Sequence, residues 1–317
     1  MISLSDLAKN LKQEKKVAIF CHVRPDGDAI GSACALKNAL ISVGVTAEAY
    51  CDDYIPDKFS FLAKDQFKSK ITDSDYTALI AVDSADIARL GEFSELFARC
   101  KNTYNVDHHV SNTRYAKFNY VCDKSANALN IYDLIVELNA NIDSHTANLL
   151  AMGIMTDTGN FTHQDVGNEA LDVASVLVEK GANLNEIYYQ TFKKQTQERA
   201  KLFGMVMSKL RYFHNGRFVV CAIKDSQIKE SGAHPSETEG FVDFIMGIDS
   251  VEIGATVMEI DKNKYKISLR SKGANVNAVA GSFGGGGHVL ASGCQINGEY
   301  EEVLDKLSFA VSRELID

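Results

Sequence analysis

The sequence predicts an α/β protein: a parallel sheet with helices on both faces, then a helical linker, then a smaller α/β domain. Three observations carry this. Short apolar runs alternate with helix-favouring stretches through the first half. A polar stretch without proline, 183–212, then breaks the alternation. Beyond it, the runs have the two-residue alternation of strands. A length of 317 residues suits two domains, with expected limits 1–184, 185–212 and 213–317.

Taken in order, Val17 to Cys21 reads as a buried strand, followed by a polar loop and an apolar helix from Ala29 to Val43. Thr46 to Cys51, Ala78 to Val82 and Thr103 to Val106 read as further strands. Helical patterns follow at Ala126 to Leu138, Ser144 to Met155 and Glu169 to Lys180. The stretch from Asn183 to Tyr212 predicts one helical connector. After it come strands at Arg217 to Ile223, Glu252 to Ile260 and Lys264 to Arg270. The last two form a hairpin through Asp261-Lys262-Asn263, and a closing helix runs from Glu302 to Leu315.

Hydrophobic residues at 45% and charged residues at 24% are globular values, and they exclude a disordered chain. A formal charge of −9 argues against broad binding to long duplex DNA, which needs many basic contacts to phosphate. Seven scattered cysteines without a C-x-x-C pair predict reduced, mostly buried thiols. The segment 1–16 is charged throughout and has no signal-peptide core, and no stretch approaches a membrane span. A cytoplasmic protein that does not enter membranes is expected.

Four acidic islands follow apolar runs in the first half. They are His22-Val23-Arg24-Pro25-Asp26-Gly27-Asp28, Ala81-Val82-Asp83-Ser84-Ala85-Asp86, Asn105-Val106-Asp107-His108-His109, and Gly153-Ile154-Met155-Thr156-Asp157-Thr158-Gly159. In a parallel sheet such loops emerge at the carboxyl ends of the strands, where ligands bind. Carboxylates with neutral imidazole and no sulfur suit hard divalent ions such as Mn²⁺ or Mg²⁺. Asp26 and Asp28 can serve one ion each, with Gly27 relieving the backbone between them. Asp83 and Asp157 would bridge the ions or complete their shells, although both also fit helix N-caps. His109 diverges from its neighbour His108 in extended backbone, so it is placed to contact a phosphate or protonate a leaving oxygen.

The second half carries a local excess of positive charge at Lys262, Lys264, Lys266, Arg270 and Lys272. Strand alternation sends Lys264, Lys266, Ser268 and Arg270 to one face. Arg270 can fork onto a phosphate. The run Gly284 to Gly287 lets backbone amides approach an anion, and His288 adds a donor. A solvated hairpin face for Lys264 and Lys266, and a flexible glycine loop, fit the same residues.

These blocks resemble, in order, the signatures of the DHH phosphoesterase superfamily over nearly the whole chain. Gly281-Ser282-Phe283-Gly284-Gly285-Gly286-Gly287-His288 with Ala291-Ser292-Gly293-Cys294 resembles the DHH-associated domain. The layout is similar to bacterial nano-RNases that also dephosphorylate 3′-phosphoadenosine 5′-phosphate, and to stand-alone cyclic-di-AMP/pApA phosphodiesterases. The resemblance implies two Mn²⁺ ions, with Mg²⁺ or Co²⁺ as substitutes. His22, Asp26 and Asp83 would hold one. Asp28, Asp83, His108 and Asp157 would hold the other. Asp107 would orient a ligand imidazole, and His109 would be catalytic. Gly285, Gly286, Gly287, His288 and Arg270 would bind substrate, with a cleft between the domains seating very short nucleotides. The superfamily also admits a homodimer.

One departure stands out: many nano-RNase relatives place an arginine and an aromatic residue where this chain has Thr162-His163-Gln164. His163 reads as a surface residue or as a substitute phosphate donor. The expected function is hydrolysis of nano-RNA, two to about five nucleotides long, and of 3′-phosphoadenosine 5′-phosphate. A cyclic-di-AMP/pApA phosphodiesterase is the alternative within the same chemistry. A processive exonuclease of the RecJ type fits less well, because length and acidic charge oppose it. A non-catalytic nucleotide-binding regulator would require a lost ligand, and none is missing.

Overall fold

Short apolar runs form the strands of the N-terminal half: β1 (Lys16–Phe20), β2 (Thr46–Tyr50), β3 (Phe67–Lys68), β4 (Ala78–Val82), β5 (Thr103–Asp107) and β6 (Phe118–Val121). In the computed structural model, which describes residues 1–71 and 75–315, they make an all-parallel sheet in the order β3-β2-β1-β4-β5-β6. The order reverses between β1 and β4, so the loops leaving these two strands diverge and leave a crevice at their carboxyl ends. His22 and Asp83 both lie just beyond those ends.

Alternating side chains of each strand go to opposite faces. Val17, Ile19, Ile80 and Val82 pack with helices α1 (Leu4–Leu11), α2 (Gly27–Ser42), α5 (Asn127–Glu137) and α6 (Ser144–Asp157). Further short helices are α3 (Ser60–Ala63) and α4 (Ser94–Arg99), and α7 (Asn168–Glu179) packs beside α6. Ala18, Phe20, Leu79 and Ala81 face Leu90, Phe93 and Phe97, so α4 and the 3-10 segment Ile87–Phe93 cover the other side. Both faces are covered, one by long helices and the other by short turns.

The chain divides into two compact units, Met1–Lys194 and Gln195–Asp317. The polar stretch predicted as one connector is interrupted. Helix α8 (Leu184–Tyr188) runs into a π-helical turn, Tyr189–Lys193, and Lys194 is extended. A new helix, α9 (Gln197–Met207), then starts on Thr196, whose hydroxyl accepts from the Arg199 amide at 3.0 Å. That N-cap was legible in principle and overlooked because the composition stays helix-favouring on both sides.

The second unit carries β7 (Arg211–Phe213), β8 (Phe218–Ile223), β9 (Ile253–Asp261), β10 (Lys264–Ser271), β11 (Gly286–His288) and β12 (Ala291–Asn297). Their order is β11-β12-β10-β9-β8-β7, antiparallel except for the parallel pair β8–β9. The expected β9–β10 hairpin is present, with Asn263 in the left-handed region its turn requires. Helices α12 (Val276–Gly281) and α13 (Tyr300–Ser312) cover one face. On the other face α9, α10 (Asp225–Ser231) and α11 (Phe241–Met246) pack over β8 and β9. The last two residues of the predicted second domain, 316 and 317, lie outside the described residues.

The glycine run is not the flexible loop that its composition also allowed: Gly286 and Gly287 belong to β11, an edge strand paired with β12. A Cβ at Gly285 would collide with the Gly293 carbonyl, so the close approach there is to the chain's own backbone.

Candidate metal centre and nucleotide face

Asp26 opens the site as the N-cap of α2, its Oδ1 accepting from the Asp28 and Ala29 amides at 3.1 and 3.0 Å. That leaves Oδ2 facing His22 Nε2 at 3.7 Å. Gly27 is helical and serves a different purpose from the one expected: a Cβ there would lie 2.5 Å from the Thr156 side chain. Helices α2 and α6 cross closely at glycines, since a Cβ on Gly31 would strike the Leu149 carbonyl and one on Gly153 would lie 2.8 Å from Asp28 Oδ1. This crossing, unread in the sequence, carries Asp28 and Asp157 to the same place.

Asp28 is buried and caps α5 from a distance, its two oxygens accepting from Asn127 N at 2.5 Å and Ala128 N at 2.8 Å. Asp83 and Asp157 are not N-caps. Asp83 follows β4 in the left-handed region (φ +52°), held by its amide donating to the Val106 carbonyl at 3.0 Å. Asp157 ends α6, where a helix disfavours a carboxylate. Both placements cost stability and so mark a demand other than folding.

The residues of the first unit converge. Asp83 Oδ2 lies 3.6 Å from His22 Nε2, while Asp83 Oδ1 lies 3.4 Å from His108 Nε2. His108 Nε2 is 3.6 Å from Asp157 Oδ2. Three groups each bring their ligand atoms within 4.8 Å of one another: His22 with Asp26 and Asp83, Asp28 with His108 and Asp157, and Asp83 with His108 and His109. Asp83 thus faces one imidazole with each oxygen and stands between two clusters.

The electrostatics are those of a site short of positive charge. Burial raises the Asp28 carboxyl well above its usual range, and Asp83 and Asp157 add to the rise. Burial, with Asp83 and Asp26, takes Asp157 up to about 6 against the pull of His108. Burial opposes a charged His22, yet Asp26 and Asp83 push it up to about 10. His108 also reaches about 10, Asp83 and Asp28 outweighing burial. Burial would raise Asp83 too, but the two imidazoles hold it below the carboxylate range. Asp83 Oδ1 is buried with no hydrogen-bond partner among the described residues. An orphaned carboxylate oxygen, crowded acids and facing imidazoles fit divalent cations, which would replace the imidazole protons as the balancing charge.

Asp107 lies against His109, and among the described residues neither His22 nor His108 is hydrogen-bonded to it: its Oδ1 lies 2.8 Å from His109 Nδ1. His108 is held through Nδ1 by the Lys124 carbonyl at 2.8 Å. The Lys124 ammonium is tied in turn to Asp133 and Glu169. The hydrogen bond that Nδ1 donates to Asp107, opposed by burial, keeps His109 above the ordinary imidazole range.

Arg270, Gly285, Gly286, Gly287 and His288 lie in the second unit. Arg270 pairs across the strands with Ala291, and Ala291 pairs with His288, so the three form one row on one face. Tyr265, Ile267 and Leu269 point into the core, leaving Lys266, Ser268 and Arg270 on the opposite face of the strand. Lys266, Ser268, Gly284, Gly285 and Gln295 line a pocket of about 480 Å³. Arg270 Nε lies 3.4 Å from Asp243 Oδ1. In the first unit, Thr162, His163 and Gln164 are exposed, after three successive residues, Gly159, Asn160 and Phe161, with positive φ.

No helix among the described residues is long and apolar enough to cross a membrane. The DHH family, N-terminal domain, is matched over residues 16–154, and the DHHA1 domain over residues 215–316. The bifunctional oligoribonuclease and PAP phosphatase NrnA of Thermus thermophilus is 31% identical over 95% of this chain and 91% of its own. The Bacillus subtilis protein of that name is 26% identical, over 92% and 93%. A solved structure of an exopolyphosphatase-related protein from Bacteroides fragilis superposes with a TM-score of 0.86 at 25% identity, covering 98% of this chain and 95% of that one. With that extent of likeness, and with the acidic and imidazole groups a divalent ion requires, the chain belongs to the DHH family of phosphoesterases, hydrolases that work with divalent metal.

Proposed function

We propose that the chain is a two-metal, manganese-dependent phosphoesterase that hydrolyses oligoribonucleotides of two to about five residues and 3′-phosphoadenosine 5′-phosphate. The observation that carries the reading is the position of Asp83, with one oxygen toward each of two ligand clusters. The names of the Thermus and Bacillus relatives supply the substrate class. His22, Asp26 and Asp83 would hold one ion, and Asp28, Asp83, His108 and Asp157 the other. Bound divalent ions supply Lewis acidity at phosphoryl oxygens and lower the pKa of water.

The chain's own residues do the rest. Helix α5 and the α2–α6 crossing hold Asp28 rigid, so it need not reorganise. His109, fixed by Asp107 through Nδ1, offers Nε2 to a phosphoryl or leaving oxygen as a proton donor. In the second unit, Arg270 and His288 bind phosphate oxygens, and the pocket beside Lys266 receives the rest of a small nucleotide. A small pocket suits short chains and dinucleotides.

Purified protein with Mn²⁺ should turn over dinucleotides and 3′-phosphoadenosine 5′-phosphate and leave cyclic-di-AMP nearly untouched. Cyclic-di-AMP turnover comparable to that of dinucleotides would reverse the substrate assignment, and inertness toward all of them would end it.

A further inference from the structure

Asn112 belongs to no ligand cluster, yet its amide sits at the centre of the polar network beneath one. Its Nδ2 lies 2.6 Å from Asp107 Oδ2 and 2.8 Å from Asn105 Oδ1, with the Ser84 carbonyl at 3.3 Å. An amide nitrogen carries two hydrogens, so the two short contacts take them. Asn112 Oδ1 accepts from the Arg114 amide at 2.6 Å, which settles the direction of the amide: oxygen toward the backbone N–H, nitrogen toward Asp107.

The Asp107 carboxylate is fully buried, and among the described residues its side chain has two hydrogen-bond partners: His109 on Oδ1 and Asn112 on Oδ2. One donor on each oxygen locks the carboxylate plane. Without Asn112, Oδ2 loses that partner and the plane is free to turn, at the cost of an unsatisfied buried acceptor. His109 would then lose the orientation that presents Nε2 outward, where 39% of its side chain is exposed.

The Asn105 amide, whose oxygen accepts from Asn112, reaches the backbone on both sides of Asp83. Asn105 Nδ2 lies 3.3 Å from the Ala81 carbonyl and 3.4 Å from the Ser84 carbonyl, and Tyr115 donates to that Ser84 oxygen at 3.1 Å.

We propose that Asn112 is the positioning residue for His109, acting through the buried Asp107 carboxylate that both of them share. The proposal rests on the phosphoesterase reading above. It predicts a defect in turnover, not in substrate or metal binding.

The test compares Asn112→Ala and Asn112→Leu, the latter keeping the shape without a donor, alone and combined with His109→Ala. Turnover of 3′-phosphoadenosine 5′-phosphate and of a dinucleotide is read beside calorimetric Mn²⁺ affinity. Each single Asn112 variant should lower kcat by about 10- to 100-fold, with KM and Mn²⁺ affinity within about threefold. Added to His109→Ala, either should cost less than about threefold more. A full additional drop in the double variant, or loss of Mn²⁺ binding in both single variants, overturns the proposal. If His109→Ala alone keeps normal kcat, the catalytic reading of His109 fails instead.

A second readout does not depend on substrate. Nitrogen-15 spectra of histidine-labelled protein should show the His109 Nδ1–H in a strong hydrogen bond in the native chain and in a weaker, shifted one in both Asn112 variants. Unchanged spectra in the variants overturn the positioning role even if no substrate is turned over.

Discussion

Among the described residues of the first unit, four acidic or imidazole side chains, His22, Asp28, Asp83 and Asp107, are at most 3% exposed. In the second, Lys266 and His288 are exposed, and Arg270 keeps 40% of its side chain in water. The difference lies in how each group is held. The buried set is fixed by backbone amides, neighbouring imidazoles and helix crossings, so each member depends on the others. The exposed set stands along adjacent strands, Arg270 facing Asp243 across water-exposed surface, and no member is hydrogen-bonded to another among the described residues. Interdependent groups should fail together, whereas independent ones should lose function in steps.

The sharpest way to break this comparison is Asp83→Ala. It removes the group that faces both clusters, and kcat should fall by at least about 10³-fold with Mn²⁺ affinity, while circular dichroism stays native. Activity within tenfold of normal would show that the buried set is not interdependent and would refute the two-metal assignment.

Gly31→Ala asks whether the α2–α6 crossing is what unites the set. The added methyl strikes the Leu149 carbonyl, and chemical denaturation should show a loss of about 1–3 kcal/mol. Because Asp28 and Asp157 ride on these helices, Mn²⁺ affinity should fall in parallel. A destabilised protein with unchanged affinity would uncouple packing from the site.

Arg270→Ala should be milder and different in kind. KM should rise about 10-fold, with kcat and metal content unchanged, the size of one charged hydrogen bond at a wet surface. Loss of metal in this variant would contradict the division of labour between the units.

The smallest effect compares the two cores. Burial pushes Cys34 in the first unit and Cys221 in the second up to about 12. Native protein at pH 8 should therefore leave both unmodified by a thiol reagent over an hour. Labelling of one but not the other would identify the unit that opens first.

Much of this was legible in the chain. The strands β1, β2, β4 and β5 and the helices α2, α5, α6 and α7 follow from apolar runs and their limits. The edge strands β3 and β6 were missed because Phe67–Lys68 is too short for a periodic signal and Phe118–Val121 alternates weakly. Strand β11 was missed because glycine carries no strand propensity and is needed there for close backbone approach. Helices α10 to α12 are six or seven residues long, below what periodicity resolves.

By itself the sequence determined the kinds of ligand and the order in which they arrive, because each acid or imidazole stands where an apolar run ends and the chain must turn toward water. Only the tertiary structure decided how they are used. Asp28 caps a helix 99 residues away, Asp107 takes His109 and not His108, and Asn112 closes the network around them. Those choices depend on helix crossings and strand register between distant segments, and a hydrogen bond formed across such a distance leaves no pattern in local sequence.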